Sequence, residues 1–165
     1  MATESTSQLL MQASTGQLPD LEHWVAQLRT QFLLSPSLVH RIDLCLTELV
    51  TNVIQYGYPD GKLGTVRIRF LRQPRQIVIR IEDDGTAFDP TSYVPAELPS
   101  SLDGAATGGR GIRLVRHFAD ELHHGRSAAA NQLTLVFRDA GTDARSAAAE
   151  PAPEPVAVKP TRQPL

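Results

Sequence analysis

Apolar residues recur every three or four positions between residues 36 and 56, and this spacing predicts an amphipathic helix. Ser35 is a suitable N-cap for the segment, and Pro36 suits the first helical position. Gly57 follows the last periodic residue, where glycine commonly ends a helix. The predicted apolar stripe consists of Ile42, Cys45, Leu46, Leu49 and Val53.

Two further segments have the same helical period. The first begins at Asp20 and extends over residues 20–34, and the second extends over residues 111–122. The stripe of the first consists of Leu21, Trp24, Val25, Leu28 and Phe32. The stripe of the second consists of Ile112, Val115, Phe118, Ala119 and Leu122. The chain therefore has about three helices.

Strict alternation of apolar and polar residues predicts strands in other parts of the chain. The clearest pair, residues 65–71 and 76–83, is separated by a turn around Pro74 and predicts an antiparallel hairpin. A closing hairpin is predicted from residues 121–126 and 131–138, and a first strand from residues 7–14. The expected fold class is α+β, a two-layer sandwich with about three helices on one face of a mainly antiparallel or mixed sheet of about five strands.

Two segments lack any such period. Residues 84–109 are rich in Gly, Pro, Ser and Thr, and a loop of this length in a compact domain is usually functional, often as a lid. Residues 139–165 are rich in Ala and Pro and contain no aromatic residue, which predicts a disordered tail. We expect one folded domain over residues 1–138.

Composition limits the classes of function. The chain has 165 residues, 41% of them apolar and 21% charged, with a net charge of −2, which argues against a general nucleic-acid or anionic-membrane binder. It has no run of apolar residues long enough to span a membrane, and its first residues lack a signal-peptide pattern. Cys45 is the single cysteine, which excludes an internal disulfide and suggests a reducing compartment. We expect a cytoplasmic location.

Glu48 and Asn52 are the first candidates for chemistry. They are four positions apart, so they share one side of the predicted helix and lie on the flank of its apolar stripe. A carboxylate and an amide at the border between core and solvent are typical of a cleft wall. For this pair alone, a half-exposed polar edge is the more ordinary interpretation.

Two glycine-containing motifs follow. Asp83 and Asp84 end a predicted strand directly before Gly85; a carboxylate there can accept a hydrogen bond from the amine of a base, and glycine allows close approach of the ring. Gly109 and Gly111 open a predicted helix, where free backbone N–H groups favour phosphate. Taken singly, each motif also fits a simple turn or hinge.

The order of these motifs is more specific than any one of them. ExxxN on a helix, DxG after a strand, a long loop and GxG opening a helix together resemble the GHKL (histidine kinase-like) ATPase superfamily. The stretches that carry the resemblance are ELVTNVIQYGY, DDGTAFDP and GGRGIRLVRHFADE, and it extends over roughly residues 7–138. Within the superfamily the chain is most similar to the anti-sigma factor serine/threonine kinases. The implied fold is the Bergerat ATP-binding fold.

The resemblance implies a role for each matching residue. Glu48 matches the general base of phosphoryl transfer, and Asn52 matches the ligand of Mg²⁺. Asp83 matches the aspartate that recognises adenine. The implied ATP-binding residues are Asn52, Asp83, Gly85, Gly109, Arg110 and Gly111.

The resemblance also implies partners. A member of this family would sequester a sigma factor, phosphorylate an anti-anti-sigma protein of the STAS type on serine or threonine, and commonly form a homodimer. Some members have an arginine directly before the second glycine motif. Here no basic residue lies between Phe88 and Gly109, and Arg110 is the nearest substitute.

This departure leaves two alternatives open. The first is a nucleotide-gated module that binds partners without phosphorylating them, which the missing arginine favours and Glu48 opposes. The second is a detached ATP-binding domain of a histidine kinase. The lack of a dimerisation helix pair with a phospho-acceptor histidine argues against the second alternative.

Overall fold

A computed structural model describes residues 5–90, 92, 110–127 and 129–139 of the chain. The α-helices are α1 (Leu18–Phe32), α2 (Pro36–Tyr56) and α3 (Arg110–Phe118), with a short 3-10 helix at Thr15–Gln17. The strands are β1 (Ser5–Gln12), β2 (Thr65–Arg72), β3 (Gln76–Asp83), β4 (Glu121–Arg126) and β5 (Asn131–Arg138). None of the helices within these residues combines the length and apolarity that a membrane span requires.

The five strands form one sheet in the order β1-β2-β3-β5-β4, and each neighbouring pair is antiparallel. The predicted α+β class is confirmed. The two predicted hairpins are β2–β3 and β4–β5, and the edge strand β1 pairs with β2. Because β5 pairs with β3, the ends of α2, β3 and β5 come close together in space.

The core lies between the helices and one face of the sheet. Cross-strand register aligns Ile68, Ile81 and Leu133 in one row, and all three are buried. The apolar stripe of α2 packs into the same cluster. Its buried members are Leu38, Ile42, Cys45, Leu46, Leu49 and Val50. Since that stripe faces the sheet, residues on its flank lie along the border between core and solvent.

Helix α2 begins and ends where its sequence predicts. The Ser35 hydroxyl accepts a hydrogen bond from the Leu38 amide at 3.3 Å, so the N-cap is confirmed. The reason for glycine at the other end differs from the expectation, because Gly57 has a right-handed conformation (φ −72°). A Cβ atom at Gly57 would lie only 2.5 Å from the carbonyl oxygen of Val53, so close packing requires this glycine.

Helix α3 is shorter than the predicted 111–122. It ends at Phe118, and Leu122 lies in β4 opposite Leu135, so its assignment to the helix face was wrong. The cause is a tertiary contact: the Asp120 carboxylate accepts hydrogen bonds from the Arg138 amide at 2.7 Å and from Arg41 at 2.8 Å. Other bounds shift by one or two residues: β1 is Ser5–Gln12 rather than 7–14, α1 is Leu18–Phe32 rather than 20–34, and β2 ends at Arg72 rather than at residue 71.

Replacement of Asp120 by asparagine should lower the free energy of unfolding by about 1 kcal/mol at neutral pH, because the group is partly exposed. Although burial works in the opposite direction, donation by the Arg138 amide and Arg41 lowers the pKa of Asp120. Its stabilising effect is therefore present above the unfolded-state pKa of about 3.9 and disappears as the pH falls through the lower folded-state pKa.

Urea unfolding of wild type and Asp120→Asn at pH ~7 and pH ~3 measures this difference. Glu22 is exposed on α1, so Glu22→Gln is the matched control and should show little change in the free energy of unfolding. Equal stability of wild type and Asp120→Asn at neutral pH would contradict the assigned role of this contact.

Candidate active site

Asp83 ends β3 and is buried, with 5% of its surface exposed. Its Oδ1 atom accepts two hydrogen bonds, from Asn131 Nδ2 at 2.9 Å and from the Gly85 amide at 3.0 Å. Burial raises the pKa of the Asp83 carboxyl, and these two bonds act against that rise. Within the described residues, Oδ2 accepts no hydrogen bond. A ligand that donates a hydrogen bond can therefore bind at Oδ2.

The loop after β3 is attached to the end of α2. The Thr86 amide donates to the Gly57 carbonyl at 2.8 Å, and the Thr86 hydroxyl donates to the Tyr56 carbonyl at 3.2 Å. A Cβ atom at Gly85 would lie 2.8 Å from the Gly57 oxygen and 2.9 Å from Asp83 Oδ1. Glycine is therefore required at position 85 by the close approach of loop and helix end.

The neighbouring carboxylate, Asp84, has a different environment. It is exposed, and its Oδ1 atom accepts hydrogen bonds from the Thr65 amide at 2.9 Å and from the Tyr58 hydroxyl at 2.7 Å. These donors lower the pKa of Asp84. Asp84 thus fixes the segment between α2 and β2 to the end of β3. Within the described residues both carboxylates keep Oδ2 free of hydrogen bonds, but of the two only Asp83 lines the pocket beside Asn52.

Asn52 and Asp83 line one pocket, which lies between the end of α2 and the ends of β3 and β5. Its volume is about 20 Å³, enough for about one water molecule. Tyr56 and Phe88 are the large exposed side chains at its edge. The lining residues are Leu49, Asn52, Val53, Tyr56, Gly57, Asp83, Thr86, Phe88, Asn131 and Leu133.

Glu48 lies one turn before Asn52 and is adjacent to the first turn of α3. A methyl group at Gly111 would overlap the Glu48 carboxylate, so helix α3 begins directly against this side chain. In the part of the chain that the structure describes, neither Glu48 nor Asn52 makes a side-chain hydrogen bond or ion pair. The start of α3 favours anions through its free N–H groups and dipole.

Some predicted residues lie beyond this description. Gly109 and most of the predicted lid, residues 91 and 93–109, lie outside the described residues, as does the side chain of Arg110. Another hollow, of about 520 Å³, lies on the open face of the sheet and is lined in part by Gln8, Arg69 and Arg80. None of the predicted site residues lines that hollow.

Asn131 is a site residue that the sequence interpretation missed. It is 3% exposed and binds both Asp83 and the Thr86 carbonyl. Strand alternation contains a signal for it, because Asn131 has the same parity as the inward-facing Leu133 and Leu135. A polar residue at an inward position of a strand requires partners, and this makes it a site candidate.

In this two-layer α+β domain, a buried strand-end carboxylate and the polar flank of α2 line one pocket, and Gly111 in the first turn of α3 lies against Glu48. Comparison with known proteins leads to the family that the sequence motifs resemble. The profile described as "Histidine kinase-like ATPase domain" matches residues 11–137, and the chain belongs to this family. Membership implies nucleotide binding.

Three relatives are named for specific activities. "Serine/threonine-protein kinase BtrW" of Bordetella bronchiseptica is 30% identical over 135 residues, which is 82% of this chain and 94% of that protein. "Anti-sigma F factor" of Clostridium novyi is 31% identical over 49% of this chain and 57% of that protein. "Serine-protein kinase RsbW" of Bacillus pumilus is 29% identical over 51% and 56%, respectively. The chain thus spans little more than half of the latter two.

Replacement of Gly85 by alanine should lower the free energy of unfolding by about 1–3 kcal/mol, the usual cost of overpacking. The added methyl group meets the Gly57 carbonyl and Asp83, neither of which can move without breaking hydrogen bonds. Gly125→Ala is the matched control, because its nearest new contact, Gln132 Oε1, is at 3.9 Å. Chemical denaturation of both variants measures the difference. Equal stability of the two would contradict the tight contact at Gly85.

Proposed function

We propose that this protein is an ATP-dependent serine/threonine protein kinase and an anti-sigma factor. It would sequester a sigma factor and phosphorylate an anti-anti-sigma protein of the STAS type. The observation that supports this best is the arrangement on α2, where Asn52 borders the Asp83 pocket and Glu48 lies against the start of α3. The names of the relatives, a serine/threonine-protein kinase and an anti-sigma F factor, support the two activities.

The residues of the cleft fit a nucleotide in their chemistry. Asp83 Oδ2 is an acceptor for the exocyclic amine of adenine, and the Gly85 backbone allows the ring to approach. Asn52 offers a side-chain oxygen, a hard ligand of the kind that Mg²⁺ accepts together with phosphate oxygens. Gly109, Arg110 and Gly111 would bind phosphate. Bound Mg²⁺ would neutralise charge on the transferred phosphoryl group.

Glu48 would act as the general base. Its carboxylate would accept the proton of the serine or threonine hydroxyl while the hydroxyl oxygen bonds to the γ-phosphorus and ADP leaves. The position of Glu48 suits this role because it lies at the anion-favouring end of α3 and has no competing partner within the described residues. Glu48 would thus act on the reacting hydroxyl, whereas Asp83 would contact adenine.

The proposed partners determine the remaining properties. A sigma factor and a STAS-type protein are cytoplasmic, so we assign the protein to the cytoplasm. By similarity to the family we also propose a homodimer. The charge of −2 gives no reason to expect direct contact with nucleic acid. We retain residues 1–138 as the ATP-binding kinase domain. Of the predicted tail, Asp139 is described and pairs with Arg72, and residues 140–165 lie outside the described residues.

One alternative has support from a particular feature. A nucleotide-gated module that binds partners without phosphorylating them is favoured by the absence of a basic residue between Phe88 and Gly109. Such a residue could stabilise charge on the γ-phosphate during transfer. In this alternative Asp83 and Asn52 keep their roles, whereas Glu48 has none.

Nucleotide binding is the first test. ADP or ATP with Mg²⁺ at 100 times the dissociation constant should stabilise the protein by roughly 2.7 kcal/mol and raise its melting temperature. Asp83→Asn should weaken binding because the amide loses the charge and can present its NH₂ to the adenine amine. The exposed Asp20→Asn on α1 is the control. If the melting temperature of wild type does not change at roughly millimolar nucleotide, the nucleotide site is refuted.

Catalysis is the second test. Glu48→Gln should bind nucleotide nearly as wild type does, while phosphoryl transfer from labelled ATP to a co-purified partner falls about 10²- to 10⁴-fold, the usual contribution of a general base. Glu22→Gln controls for the loss of a glutamate charge. Transfer by Glu48→Gln at the wild-type rate would exclude Glu48 as the base. If wild type transfers nothing while nucleotide still changes partner binding, the module alternative is correct.

A further inference from the structure

The Asn131 amide uses every hydrogen-bonding group that it has. Nδ2 donates to Asp83 Oδ1 at 2.9 Å and to the Thr86 carbonyl at 2.8 Å, and Oδ1 accepts from Arg126 Nη1. Asn131 thereby joins β3, the loop after β3, and β4. A fully satisfied polar network of this kind in a buried position is rigid.

The chemistry of the partners fixes the orientation of the amide. An arginine can only donate, whereas a carboxylate oxygen and a backbone carbonyl accept. Reversal of the amide would place Nδ2 against the Arg126 guanidinium and Oδ1 against two acceptors. Arg126 itself is exposed, so it fixes the amide from the solvent side of the site.

The orientation of Asn131 in turn fixes the Asp83 carboxylate. Asn131 and the Gly85 amide both donate to Oδ1, which prevents rotation about the last bond of the side chain. Oδ2 receives no hydrogen bond from any described residue, so it is the acceptor that remains for a ligand. A fixed acceptor oxygen matches an amine and opposes a carbonyl oxygen.

We propose that Asn131 is a positioning residue for base recognition: it holds Asp83 so that Oδ2 selects a purine with an amine at position 6 over one with an oxygen there. This inference rests on the proposed nucleotide binding and deepens it. A site built to accept a hydrogen bond from a ligand N–H discriminates strongly against an analogue that lacks the group.

The protonation state of Asp83 also affects recognition of the amine. Two charged groups and one hydroxyl face it: Asp84 next in the chain, Arg126 on β4, and Tyr58 of the α2–β2 connection. Burial raises the Asp83 pKa, and Asp84 also raises it; Asn131, Gly85 and Arg126 lower it. Loss of the Asn131 donor therefore raises this pKa further. Because a protonated carboxyl no longer accepts through both oxygens, amine binding is lost as the pH falls through this pKa.

The test compares ADP with inosine diphosphate, which has an oxygen in place of the 6-amine. Dissociation constants for both are measured by calorimetry between about pH 4 and pH 8, across the range of carboxyl titration. Wild type should prefer ADP. Asn131→Leu should weaken ADP binding by roughly 10- to 100-fold, the effect of a hydrogen bond to a charged group, with little change for inosine diphosphate. Its ADP affinity should also be lost at a higher pH than in wild type.

Two further variants complete the design. Arg126→Ala changes an exposed side chain that holds the amide and lowers the Asp83 pKa, so it should fold and should reduce the ADP preference in the same direction by a smaller factor. Gln132→Leu is the control, because this neighbour of Asn131 faces the opposite side of the sheet and binds Glu82. It should leave the preference unchanged.

Each outcome decides the question. If Asn131→Leu weakens both nucleotides by the same factor at every pH, Asn131 is only a structural tie and the proposal is wrong. If Asn131→Leu does not fold, an unchanged preference in Arg126→Ala overturns the proposal. Equal wild-type affinity for the two nucleotides also overturns it while the nucleotide site stands. Wild type that binds neither nucleotide refutes the proposed function itself.

Discussion

The burial of one carboxylate is the constraint on which the site depends. Asp83 lies at the end of a strand whose other inward residues, Ile77, Ile79 and Ile81, are in the core, and desolvation there disfavours its charge. Two donors on Oδ1 offset part of that cost. One of them is the amide of Gly85, which fits only because glycine has no side chain, and the other comes from β5. The loop after β3, strand β5 and the end of α2 are therefore arranged around Oδ1 of Asp83.

The adjacent Asp84 shows how environment separates two identical groups. It is exposed and accepts from the Thr65 amide and Tyr58, so its pKa is lowered, whereas burial raises that of Asp83. The strand alternation explains the difference, since successive residues of β3 face opposite sides of the sheet until the strand ends at Asp83. One carboxylate thus holds the backbone in place and the other is available to a ligand.

Sequence alone predicted those features that depend on local chemistry. Helix α2 was predicted to the residue because its cap, its apolar period and its final glycine agree with one another. Helix α3 was predicted too long because Asp120 contacts Arg41 and Arg138, which are distant in sequence. The approach of Gly111 to Glu48 and the network of Asn131 also depend on tertiary packing, which no local period encodes. The catalytic and metal-binding roles of Glu48 and Asn52 stay predictions, because geometry shows position and not rate.

The two ends of the cleft differ in whether their polar side chains already have hydrogen-bond partners. At the Asp83 end, the amide nitrogen and oxygen of Asn131 both have partners and Asp83 has one committed oxygen, so these polar groups are fixed before a ligand arrives. At the α3 end, the side chains of Glu48 and Asn52 make no hydrogen bonds within the described residues, although both residues are half-buried. Rigid, satisfied groups suit recognition of a flat base, since they do not reorganise. Half-buried groups without partners suit reacting atoms, because their cost is recovered only when substrate and metal supply the missing contacts.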